Sequence, residues 1–200
     1  MNVKISQGNS KMGSIPSVSL PAGLTCRVDC GCSKKCYAMR LERLRPSVRQ
    51  AYKNNFELLM HDSNTYWREV EASIRMSRFF RFHVSGDIPD FQYFEKMVLV
   101  ASKNMHCEIL CFTKRYDIVN GYIAVDGDLP DNLHIIFSGW NDIEMANPYN
   151  LPEAHVRYKD GSTTARDDAK PCGGNCTECA ITDGGCWTAK RGEQVVFNEH

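Results

Sequence analysis

Ten cysteines, bunched rather than scattered, constrain this chain of 200 residues more than any other feature. Four fall at Cys26, Cys30, Cys32 and Cys36, two at Cys107 and Cys111, and four at Cys172, Cys176, Cys179 and Cys186. Cysteines that merely fill a core have no reason to gather in two tight sets near the chain ends. The opening residues, MNVKISQGNSKMG, lack the apolar segment of a secretory signal. The longest apolar stretch, Met97 to Ala101, falls far short of the ~20 residues a membrane span needs. The chain is therefore expected in the cytoplasm, with no membrane partner. Thiols stay reduced there, and metal binding is the natural use for many of them.

With 42% hydrophobic residues the chain can bury a core without crosslinks. Its 24 basic and 24 acidic residues cancel, so no overall field draws it to nucleic acid or to an anionic surface. A local basic run, Lys34, Lys35, Arg40, Arg43 and Arg45, lies beside the first cysteines. It reads as a solvated helix face, and nucleic acid is not expected as a partner.

Hydrophobic spacing predicts helices from about Cys36 to Arg45, where Pro46 interrupts, then over Ser47–His61 and Tyr66–Met76. Asp90 is expected to cap a helix presenting Phe91, Phe94, Val98 and Ala101 on one face. A shorter helix should start near Tyr116 and stop at Asn120-Gly121. Phe79–Val84, His106–Phe112 and Leu133–Ser138 read as strands, and Val195–Phe197 as a strand tying down the tail. Alternating strands and helices imply an α/β fold built on parallel βαβ units, with too few strands for a complete barrel. The expected architecture is a small or partial parallel-sheet (βα) barrel-like core over 1–146. A loop-rich, cysteine-containing lobe over 147–200 would pack on it, after an irregular lead-in over 1–25.

The first set, Cys26-x3-Cys30-x-Cys32-x3-Cys36, presents four thiols within eleven residues. A loop of this kind suits an Fe–S cluster, in which each iron takes a thiolate. Gly31 allows close backbone approach, and Lys34, Lys35 and Arg40 would offset the cluster's negative charge. Zinc is the rival, although the paired Cys-x2-Cys knuckles usual for zinc are missing here. The second set, Cys172-x3-Cys176-x2-Cys179-x6-Cys186, resembles ferredoxin-type loops. It contains one proper knuckle, Cys176 and Cys179, so zinc remains an alternative at this site. Trp187 would shield a metal or pack in the core. Between the sets, Cys107 and Cys111 read as buried core thiols, and His83 as a core histidine whose ring nitrogens find partners.

Ligands of open α/β sheets collect at the carboxyl ends of the strands. Those ends are Ser85-Gly86-Asp87, Thr113-Lys114-Arg115 and Ser138-Gly139-Trp140. Asp87 either serves a ligand or caps its own turn. Lys114 and Arg115 either receive an anionic group or form a solvated pair at a helix start.

The segments GNSKMG (8–13), SLPAGLTC (19–26), CSKKCYAMR (32–40), RFHVSGD (81–87) and Cys186-Trp187 with the terminal His200 together resemble the phage and plasmid family called gene product eighty-eight. That family is similar, at greater distance, to radical S-adenosylmethionine proteins. The resemblance implies a [4Fe-4S] cluster, one or two in all, with Cys26, Cys32 and Cys36 as the three ligands and S-adenosylmethionine on the fourth iron. Ser85, Gly86 and Asp87 would resemble the Gly-Gly-Glu turn that contacts the methionine amine, and Lys114 would lie beside it. The spacing here, Cys-x5-Cys-x3-Cys, differs from the usual Cys-x3-Cys-x2-Cys, and ligation by Cys30 would leave no iron open.

Three functions compete. One is a radical-type Fe–S enzyme with an auxiliary cluster at the carboxyl end. Another is a non-catalytic electron carrier or redox sensor. The third is a zinc-stabilised binding module. A small molecule or a redox partner is implied but not named, and a phage-encoded chain would work in the host cytoplasm.

Overall fold

A computed structural model of the chain describes residues 2–27, 30–182 and 184–199; the terminal His200 of the sequence pattern lies outside the described residues. Eight strands form one sheet: β1 (Ile5–Ser6), β2 (Ser17–Val18), β3 (Phe79–Phe82), β4 (Glu108–Thr113), β5 (Leu133–Ser138), β6 (Glu153–Arg157), β7 (Lys170–Pro171) and β8 (Gln194–Asn198). Their spatial order is β1-β2-β3-β4-β5-β6-β8-β7. Only β1 and β2 pair antiparallel; every other neighbour is parallel. Six α-helices accompany them: α1 (Tyr37–Leu44), α2 (Pro46–His61), α3 (Ser63–Arg75), α4 (Phe91–Lys103), α5 (Tyr116–Asp126) and α6 (Cys176–Ile181). No helix among the described residues is long and apolar enough to cross a membrane.

The two faces of the sheet are covered differently. Alternation along β4 sends Ile109 and Cys111 to one side and Leu110 and Phe112 to the other. The first side is the main core, closed by α2 to α5. Helix α3 shows how: Tyr66, Val70 and Ile74 recur every four residues, are fully buried, and together contribute several kcal/mol (about 1.5–3 per apolar side chain). Its amino end is capped by Asp62, whose side chain accepts from Thr65 N. Asp90 caps α4 in the same way, accepting from Tyr93 N at 2.8 Å. The opposite face carries a smaller cluster of Met12, Ile15, Leu110, Ile136, Ala154 and Trp187, with Cys176, Cys179 and Cys186 packed on it.

Several expectations need correction. Helix α5 runs through Gly121 to Asp126, because burial of Val119 and Ile123 outweighs the ~1 kcal/mol that an internal glycine costs; it ends at Gly127, φ +90°. The lead-in is not irregular: it supplies the edge strand β1 and its neighbour β2, and it buries Met12, Ile15, Val18 and Leu20. The segment from 147 onward supplies β6, β7 and β8 to the same sheet, with Phe137 in register with Glu153 and Ser138 with Ala154. Pro46 separates α1 from α2 by standing at the first position of the second helix, where a missing N–H is harmless.

His83 also departs from expectation. It follows β3 with φ +56° and is buried, yet neither ring nitrogen has a partner among the described residues. Its ring lies 5.8 Å from Phe82 and 5.5 Å from Tyr93. Burial, helped by the Arg81 cation, lowers its pKa from 6.5 to about 3. The folded chain therefore holds His83 neutral, while the unfolded chain takes up a proton below pH 6.5, so stability falls as pH drops through the window from 6.5 to 3. Roughly 2 kcal/mol should be lost between pH 7 and pH 5 through this residue. Denaturant titrations of the wild type and of His83→Asn, which tolerates the left-handed conformation, should show the substitution removing that part of the slope. Equal slopes would refute the assignment.

Candidate functional site

The amino-terminal thiols hang from the carboxyl end of β3. Gly86, at φ +78°, has no room for a Cβ, which would lie 2.7 Å from both Leu20 O and Thr25 Oγ1. The chain leading to Cys26 is thus pressed against the Ser85–Asp87 turn. Leu20 N donates to Ser85 O at 3.1 Å, and Asp87 N donates to Thr25 Oγ1 at 3.1 Å. Glu42, on the inward face of α1, accepts from Ser85 Oγ at 2.8 Å and from Ala22 N at 2.9 Å. Tyr37 donates its hydroxyl to Val84 O at 2.6 Å. The Asp142 carboxylate lies against Gly31, its Oδ2 1.9 Å from where a Cβ would stand.

Within this cradle Cys30 is buried and Cys26, Cys32 and Cys36 are half-buried. Backbone N–H groups point at three sulfurs: Gly23 N at Cys26 and Cys32 N at Cys30, both 3.4 Å, and Met39 N at Cys36, 3.5 Å. The four lie close enough to feel one another's charge. Burial pushes the Cys26 thiol up to about 11, with Asp87 and Cys36 adding to the rise and Lys114 opposing it. Burial and the contact with Cys30 push Cys32 up to about 12.

Asp87, Lys114 and Ser138 tie the strand ends together. Asp87 Oδ1 accepts from Thr113 Oγ1 at 2.6 Å and from Ile88 N at 2.8 Å, and Oδ2 accepts from Lys114 N at 2.9 Å. Burial raises its pKa while these donors oppose the rise. Lys114 Nζ donates to Ser138 Oγ at 2.9 Å. Arg115 is spent on the carbonyls of Ile88 and Pro89 and on Asp117. Of the predicted strand-end residues, Lys114 thus faces the thiols, whereas Asp87 and Arg115 serve the scaffold.

The second thiol set covers the other face of the sheet. Helix α6 begins at Cys176, capped by Asn175. It docks on the Asn9–Gly13 turn: Cys176 N donates to Lys11 O at 2.9 Å and Thr177 Oγ1 to Met12 O at 2.6 Å. Gly13 is required there, since a Cβ would meet Thr177 Oγ1 at 2.2 Å. Trp187 is buried against Phe79, 5.2 Å between ring centroids, and donates to Cys176 O. Gly174 N points at the Cys172 sulfur. Burial, then the charges of Cys172 and Cys176, push Cys186 up to about 12; the same causes raise Cys179. Cys107 and Cys111 are fully buried in the main core, away from both sets.

All ten cysteines are free thiols. Among the described residues, no three His, Cys, Asp or Glu side chains converge on the position of a single metal ion. Sequence reasoning missed Arg81. It lies on the thiol-bearing face of β3, its guanidinium 4.9 Å from the Phe112 ring centroid, and its Nε is buried with no acceptor among the described residues. Its charge reaches Cys186 of one set and Tyr37 beside the other. Its polar position between Phe80 and Phe82 was the available signal. Glu42 and Thr25 left no comparable trace.

Glu42 accepts from Ser85 Oγ, which is buried, and from Ala22 N, which is half-buried. Glu42→Leu should therefore destabilise the protein by roughly 2–4 kcal/mol, and Glu42→Gln by less. Denaturant unfolding checks this, and a loss below about 0.5 kcal/mol in the leucine variant would show that the clasp is not structural.

A family described as Gene product 88 matches residues 2–189. The Gene 88 protein of Mycobacterium phage L5 is 27% identical over 187 residues, covering 86% of this chain and 77% of the phage protein. No solved structure matches. The match spans the turn at Asn9–Gly13, both thiol sets and the sheet between them, and the chain belongs to the Gene product 88 family.

Proposed function

We propose that this chain is an iron–sulfur protein, active in the host cytoplasm, whose two thiol sets each hold a [4Fe-4S] cluster. Cys26, Cys30, Cys32 and Cys36 would hold the first and Cys172, Cys176, Cys179 and Cys186 the second. The observation that carries the reading is Arg81. A buried N–H donor of a cation, left without an acceptor among the described residues, is costly, and this one stands on the sheet face that carries the second thiol set, within electrostatic reach of Cys186. A thiolate-ligated cluster is an anion with sulfide acceptors, the group such a donor lacks. The N–H groups directed at Cys26, Cys30, Cys36 and Cys172 support the same reading, because they stabilise sulfur that carries negative charge.

A cluster so held supplies reversible one-electron chemistry. With Cys30 in the set, four thiols are available and each iron has its ligand, which favours an electron carrier or redox sensor. Asp87 points the same way, since both of its oxygens already accept protein donors. The radical-type reading keeps S-adenosylmethionine at the strand ends beside Ser85, Gly86 and Lys114, and it needs Cys30 to stand aside. Zinc in the second set is the remaining alternative, for which the Cys176–Cys179 knuckle speaks.

Anaerobically isolated protein should contain about eight irons and as much acid-labile sulfide, and Cys172→Ser with Cys186→Ser should remove half of each. Mössbauer spectra should show no distinct iron, and S-adenosylmethionine should leave them unchanged. A spectral change on adding it, with reductive formation of deoxyadenosine, would establish the radical-type enzyme instead. Stoichiometric zinc, or a chain that rejects iron and sulfide on reconstitution, would end the proposal.

A further inference from the structure

The chain is neutral as a whole but strongly polarised. Seven of its 24 basic residues and only one of its 24 acidic residues lie between Lys34 and Lys53, so the remainder is acidic by six charges. The single acid is Glu42, which is turned inward and buried. Lys35 and Lys53 pair with Glu199 and Glu57. Among the described residues Lys34, Arg40, Arg43, Arg45 and Arg49 have no carboxylate partner.

The same region is unusually apolar at its surface. Helix α1 buries only Ala38 and Glu42. Leu24, Tyr37, Met39, Leu41 and Leu44 are between 38% and 62% exposed, five of the twelve large hydrophobic residues exposed in the described chain. The patch adjoins the first thiol set: Leu24 stands two residues before Cys26, Tyr37 follows Cys36, and the Tyr37 hydroxyl ties this surface to Val84 O at the end of β3.

We infer that this surface docks an acidic electron-carrier protein, which exchanges one electron with the first cluster. The electron-carrying part rests on the Fe–S proposal above; the docking part does not. Apolar side chains ringed by unpaired cations match the small, transient interfaces of redox encounters, which bury less than ~1,200 Å², and the charges supply steering toward an acidic partner. A second copy of the chain would bring like charges face to face. Nucleic acid would use the cations but gain little from exposed Leu and Met, since bases stack on aromatic rings.

The test uses the anaerobic full-length protein and a plant-type two-iron ferredoxin, a small acidic electron carrier, as the probe. Two double variants separate charge from apolar contact: Arg43→Glu with Arg49→Glu, and Leu41→Gln with Leu44→Gln. Both should keep the iron and acid-labile sulfide content and the visible absorption spectrum of the wild type. Calorimetric affinity for the ferredoxin, and the rate of reduction by it at low salt, should fall at least about tenfold in the charge variant. The apolar variant should also bind more weakly, with its salt dependence unchanged. Unchanged affinity in both variants would overturn the inference. So would loss of binding to single-stranded DNA or to phosphatidylserine vesicles with ferredoxin affinity unaltered. If the wild type carries no iron, the Fe–S proposal fails at that step, and the calorimetric comparison still decides whether the surface binds an acidic protein.

Discussion

The fold of this chain and its chemistry meet in a clasp at the carboxyl end of β3. Three segments far apart in sequence, residues 19–25, the inward face of α1 and the Ser85–Asp87 turn, satisfy one another's backbone and side-chain polar groups. A parallel sheet leaves such groups unpaired where its strands end, and buried polar groups must find partners. Here the partners come from the loop that carries the cysteines. Asp87 then joins β3 to β4, and Lys114 with the Tyr116 hydroxyl joins β4 to β5, the latter donating to Ser138 O at 2.5 Å. Sulfur atoms, cations and strand ends are placed by one continuous polar network.

What the sequence shows of this depends on how local each feature is. The helices α2, α3 and α4 are legible because their apolar residues repeat with the helical period, and at α4 the capping Asp90 stands where the period begins. The three central strands are legible because runs such as FFRF and LHIIFS are short, branched or aromatic, and bounded by turns. The two-residue strands β1, β2 and β7 have no room for a pattern, and their pairing is dictated by neighbours distant in the chain. Strand β6, with Glu153, His155 and Arg157 alternating with Ala154 and Val156, borders the small face and so lacks an apolar run. The grouping of thiols is plain from spacing. That the Asn9–Gly13 turn serves the second set and Glu42 the first is not, because both depend on contacts spanning 20 residues or more.

The asymmetry of the two faces explains how so small a chain carries so much polar sulfur chemistry. Helices α2 to α5 put nearly all of the large buried side chains on one side, which supplies the stability a domain of this size needs. The other side is thereby released from packing a second full core. Its cover is a loop, the short helix α6 and Trp187, and its lining alternates Leu110, Ile136 and Phe112 with half-buried cysteines. A cation such as Arg81 would be intolerable in the main core, where Phe80 and Phe82 point. One residue's alternation on β3 places it on the thin face instead, resting on Phe112 and within electrostatic reach of Cys186. Strand periodicity, which decides inside from outside in an ordinary sheet, here decides which face stabilises and which face reacts.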